Sequence, residues 1–119
     1  MYLVFLSLAM EDKDYIESIK LIKQYLTGEG INISRFYLFG SRARGDNKPD
    51  SDYDILIVID KDFKNGEKRK LLSNIYKFLI ANNSNLNIDI VIKPKEFFEW
   101  ESQNLGFLSY TVSNEGILV

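Results

Sequence analysis

The chain has no cysteine and no histidine among its 119 residues. Without cysteine there is no disulfide and no thiolate metal site, and a reducing, cytoplasmic setting is the expected one. Without histidine there is no Ser-His-Asp or Cys-His catalysis and no imidazole metal ligand within this chain. Any metal must then sit on carboxylates, which favours hard cations such as Mg²⁺ or Mn²⁺.

Long apolar runs are missing too. The start, MYLVFLSLAM, is apolar over only ten residues. That is too short to span a bilayer, and it lacks the basic segment and small-residue cleavage site of a secretory signal. No membrane role is expected. Residues 1–10 read as an extra strand or an ordered arm, a candidate self-association surface for a homo-oligomer, or as an upstream start with Met10 as the true first residue. An excess of positive charge is also absent: the net charge is -2. The short basic cluster Lys68-Arg69-Lys70 reads as a solvated helix face, so autonomous nucleic-acid binding is disfavoured.

What remains is 45% hydrophobic and 27% charged, as in an ordinary soluble domain. The length predicts a single domain over 1–119. It leaves little room for a second substrate-binding domain, so a large substrate must be held by one small surface or by a partner.

Periodicity predicts a helix from Glu11 to about Thr27, with Ile16, Ile19, Ile22 and Leu26 on one face. A short strand, Arg35–Phe39, leads into a loop from Gly40 to Ser51 and then a strand, Asp52–Ile59. A second helix spans Glu67 to about Ala81, with Leu71, Leu72, Ile75, Phe78 and Leu79 facing the core. A third strand, Leu86–Ile92, ends at Pro94. Pro94 also suits the first turn of a helix carrying Phe97, Phe98 and Trp100. A last helix runs from about Phe107 to Asn114, and the end is extended. A strand-helix-strand step makes strands two and three parallel, while strand one is expected antiparallel to strand two. The fold class is α+β (α/β): a small mixed sheet with helices packed on it.

Asp52 and Asp54 open the second strand, although aspartate is a poor strand former and costly to bury unpaired. Alternation puts both on one side, about 7 Å apart along the backbone. If the next strand is parallel and in rough register, Asp89 lies near both. Three carboxylates that close require either protonation or a cation, and two Mg²⁺ ions would satisfy them. The Gly40-Ser41 turn lets a phosphate approach the backbone N–H groups, and Arg42 and Arg44 add positive charge. Together these describe a site for a nucleoside triphosphate.

Blander readings exist for each group. Asp52 and Asp54 could be a solvated turn, and Asp89 an ordinary strand-edge acid. Arg42 or Arg44 could contact phosphate, fix the loop by pairing with Asp46 or Asp50, or stay solvated. Tyr53, Phe97, Phe98 and Trp100 read as core rather than as base-stacking groups.

Gly40-Ser41, ten intervening residues and Asp52-Tyr53-Asp54 form the pattern G-S-x10-D-x-D. It resembles the signature of the DNA polymerase beta-like nucleotidyltransferase superfamily. The wording LFGSRARG and SDYDILIV looks like its minimal nucleotidyltransferase branch, and Asp89 in IDIVI matches the family's third acid. The resemblance implies the polymerase beta-like fold. It also implies that Asp52, Asp54 and Asp89 hold two Mg²⁺ ions, with Mn²⁺ as the alternative, and that Asp89 helps deprotonate the acceptor. Gly40 and Ser41 would hold the β- and γ-phosphates of ATP.

Proteins of this branch resemble antitoxins paired with HEPN-family RNase toxins, some of which they silence by adenylylation. The resemblance thus implies transfer of AMP to a hydroxyl of a HEPN partner. The alternatives are an antitoxin that acts by binding alone, a subunit modifying a small molecule such as an aminoglycoside, and nucleotide addition to an RNA 3′ end.

Overall fold

The computed structural model describes residues 13–119. The apolar start, read above as a strand or an arm, lies outside the described residues. The chain continues as α1 (Lys13–Gly28), β1 (Ile33–Phe39), α2 (Gly40–Arg44), β2 (Tyr53–Ile59), α3 (Glu67–Ala81), β3 (Ile88–Pro94), α4 (Lys95–Ser102), α5 (Leu108–Glu115) and β4 (Ile117–Leu118). The sheet order is β3-β2-β1-β4. β2 and β3 are parallel, and β1 is antiparallel to both β2 and β4. The expected mixed sheet with packed helices is the observed one.

β2 is the middle of the core, and its sequence explains why. Ile55, Leu56, Ile57, Val58 and Ile59 are all fully buried. A near-continuous apolar run suits a strand covered on both faces. Each such side chain contributes about 1.5–3 kcal/mol by leaving water. Alternation sends Ile55, Ile57 and Ile59 into a cluster with Ile19, Ile22 and Leu26 of α1 and Leu71, Ile75 and Leu79 of α3. Leu56 and Val58 point the other way, against Phe98 of α4 and Val112 of α5. The sheet is therefore sandwiched between two helix pairs, α1/α3 and α4/α5.

Three expectations are corrected. Residues 40–44, read as loop, form the short helix α2. Ile16 is 46% exposed, because the buried stripe of α1 runs through Tyr15, Ile19, Ile22 and Leu26 and passes Ile16 by. Phe97 and Trp100, read as core, are 53% and 56% exposed, and only Phe98 of that trio is buried. α4 has eight residues, so it can bury a single stripe, and that stripe is Phe98 and Glu101. Pro94 sits at the N-cap of α4, one position before the first turn.

Candidate active site

The strand ends bring the predicted acids together at one end of the sheet. Asp54 is the register partner of Asp89 across the parallel pair, and of Phe39 across the antiparallel one. Asp52 lies one residue before β2, and alternation gives it the face of Asp54. Asp52 and Asp89 are exposed, and Asp54 is half-buried. Burial pushes the pKa of Asp54 up, and the charges of Asp89 and Asp52 push it further, while Arg44 opposes them. Asp54 therefore feels both other carboxylates, and Arg44 as well. Among the described residues, no three acids converge closely enough to cage a metal ion unaided.

Gly40 follows Phe39 directly and has φ of +73°, a conformation glycine adopts without steric cost. A Cβ built there would overlap Oδ2 of Asp54 and stand 3.2 Å from its Cγ. The glycine thus does two things: it turns the chain from β1 into α2, and it lets the backbone lie against the Asp54 carboxylate. Ser41 is the next residue, and its carbonyl accepts the N–H of Gly45 at 2.9 Å to close the helical turn.

Arg42 is engaged with the loop. Its Nε donates to the Ser51 carbonyl at 3.3 Å, and Nη2 donates to the carbonyls of Ser51 and Pro49 at 3.0 and 3.2 Å. The guanidinium also lies over the ring of Tyr53, which stacks on Tyr15 with centroids 4.7 Å apart. Of the two loop-fixing roles considered above, Arg42 fills it through carbonyls rather than through Asp46 or Asp50. Arg44 makes the acidic contact instead, Nε to Asp46 Oδ2 at 3.2 Å on an exposed surface, where such a pair is worth little.

A cleft of about 520 Å³ is lined by Asp52 and Asp89 together with Tyr76, Ile80, Asn85 and Leu86. Sequence reading ended a helix at Ala81 and began a strand at Leu86, and missed the cleft between them. Its walls come from the end of α3 and the approach to β3, and no local pattern marks such a meeting.

The family model described as nucleotidyltransferase domain matches residues 17–119. A relative from Methanocaldococcus jannaschii, described as a putative protein adenylyltransferase, is 34% identical over 83 residues, covering 66% of this chain and 78% of its own. A crystal structure described as that of a putative nucleotidyltransferase from Sulfolobus solfataricus superposes with a TM-score of 0.48 and 26% identity, over 89% of this chain and 86% of that one. With the family model matching all but the first sixteen residues, and the Gly-Ser turn lying against an aspartate of the D-x-D pair, this chain belongs to the nucleotidyltransferase domain family and is a nucleotidyltransferase.

Proposed function

We propose that this nucleotidyltransferase transfers AMP from ATP to a hydroxyl group of a partner protein, and that the partner is a HEPN-type toxin which the transfer silences. The observation that carries the transfer is the contact of Gly40 with Asp54, itself in register with Asp89. A phosphate-binding turn and a carboxylate pair share one strand end. The protein acceptor is supported by the M. jannaschii relative's description.

The residues suit a hard divalent cation in donor type and in charge. Carboxylate oxygens are the ligands Mg²⁺ takes, and the burial and the neighbouring charges of Asp89 and Asp52 that raise the pKa of Asp54 are what a bound cation would offset. Asp52, Asp54 and Asp89 would hold the ions, with triphosphate oxygens completing their shells. When bound, the metal supplies charge neutralisation to the triphosphate.

The chain's own residues bind, orient and accept the proton. Backbone N–H groups at Gly40 and Ser41 hold the β- and γ-phosphates, and Arg44 adds positive charge beside them. The acceptor oxygen forms a bond to the α-phosphorus while the bond from that phosphorus to the bridging oxygen breaks. Pyrophosphate departs with the electron pair, and the hydroxyl proton passes to Asp89. Catalysis is positioning and charge compensation.

Intact mass spectrometry of the co-expressed partner tests this, with wild type and with Asp54→Asn. A mass step of one AMP that needs wild type supports the reading. A second reading, neutralisation by binding alone, is favoured by the half-exposed aromatic ridge of Phe97, Trp100 and Phe107. A stable complex with both versions and no mass step would select it.

A further inference from the structure

We propose that the cleft between the end of α3 and the start of β3 is the acceptor subsite, and that it takes an uncharged, apolar-bodied carrier of the reacting hydroxyl. This rests on the nucleotidyl-transfer reading above. Strand order decides which side is which. Going β1, β2, β3, the site runs from Gly40 to Asp54 to Asp89. In-line displacement places the attacking and leaving oxygens on opposite sides of the phosphorus. With the leaving phosphates on the Gly40 side, the acceptor must approach from the Asp89 side, where the cleft opens.

The lining fixes the class of acceptor. Asp52 and Asp89 line the cleft together with Tyr76, Leu79, Ile80, Leu86 and Ile88, which give apolar surface, and Ser84, Asn85 and Asn87, which offer uncharged polar groups. Among the described residues, no lysine or arginine lines the cleft. A nucleic-acid strand brings a run of phosphates that requires basic side chains, and this lining offers none. Ile80 is 73% exposed, so its side chain is accessible to whatever enters the cleft. The Tyr76 hydroxyl accepts the N–H of Ile90 at 2.9 Å, so the free edge of β3 is closed there to an added strand. What enters is a side chain or small group, with its hydroxyl towards Asp89.

Amide NMR of the full chain tests this, with N-acetyl-tyrosinamide as an uncharged hydroxyl probe, a uridine trinucleotide as its charged rival, and ATP with Mg²⁺. The probe is expected to shift Ile80, Asn85, Leu86 and Asp89. Ile80→Glu, a surface change, is expected to weaken it about tenfold or more by placing a charge against its apolar body. ATP with Mg²⁺ is expected to shift Gly40 and Ser41 equally in both proteins. Probe shifts elsewhere, or unchanged binding in Ile80→Glu, would overturn the subsite. So would tighter binding of the trinucleotide in the cleft, or ATP shifts at Ile80, Asn85 and Leu86. ATP with Mg²⁺ shifting nothing would instead sink nucleotidyl transfer, and the acceptor role with it.

Discussion

The guanidinium carbon of Arg42 lies 4.2 Å from the ring centroid of Tyr53, the residue between the two aspartates of the site. The same guanidinium donates to the carbonyls of Pro49 and Ser51. One side chain therefore ties the loop 45–52 to the strand that presents Asp52 and Asp54, and Arg42 acts on the chemistry through their position.

Arg42→Ala is expected to lower stability by about 1–3 kcal/mol, the sum of a cation–π contact and hydrogen bonds from a charged donor. Transfer should fall about tenfold or more as the acids lose their setting. Arg42→Lys should recover little, because an ammonium cannot reproduce the fork. Urea melts and initial rates read both effects. A large rise in KM for ATP with unchanged stability would instead make Arg42 a direct phosphate ligand.

Gly40→Ala should cost about 1–2 kcal/mol for the left-handed backbone alone. The new methyl must also displace the Asp54 carboxylate, and a misplacement of that order costs about 100-fold in rate. Thermal melts with parallel transfer assays check the pair of effects. Wild-type activity in this variant would show that the close approach has no part in catalysis.

Asp54→Asn should abolish transfer and yet raise the melting temperature at pH 7. The native pKa of Asp54 lies above its ordinary value of 3.8, so the folded protein holds that proton more tightly than the unfolded chain. Below 3.8 both states are protonated and no penalty exists. As pH rises through the native pKa, the folded state must give up the proton, and stability is lost. The asparagine escapes this loss. Melting curves in EDTA should show the variant ahead by a few degrees at neutral pH, with the gap closing as pH falls towards 3.8.

Lys93 and Glu101 form a largely buried ion pair at 3.1 Å, and Ser109 Oγ donates to the same carboxylate oxygen at 3.1 Å. Lys93→Met removes the carboxylate's paired cation and should cost about 3–5 kcal/mol, while Lys93→Met with Glu101→Met should recover most of that, short of about 1–3 kcal/mol for the Ser109 hydroxyl left without this acceptor. Lys93 is four residues along β3 from Asp89, about 13 Å away. The double variant should therefore keep full transfer activity. Denaturant melts and rates of both variants check it.

How much was legible followed from how local each signal was. The G-S-x10-D-x-D spacing is a linear pattern, and parallel pairing of the strands around α3 follows from crossover geometry. The Asp54 and Asp89 register could thus be anticipated before any coordinates. The work of Arg42 could not, because its acceptors are main-chain oxygens whose directions depend on how the loop folds. Phe97 and Trp100 look like core in a row of letters. An eight-residue helix on a sheet buries one stripe, and here the stripe took Phe98 and Glu101. The cleft was invisible for a similar reason, since Tyr76 and Leu86 meet only when α3 lies beside β3.

Trp100 is the chain's only tryptophan, and it stands more than half exposed, with Phe97 and Phe107 at 6.3 and 5.3 Å between ring centroids. The protein's intrinsic fluorescence is therefore a reporter of one surface. An indole exposed to 56% is expected to emit towards the wetted limit, so melting the core should shift it little. A partner that covers the ridge would shift it to the blue, and titration by fluorescence reads docking there without a label.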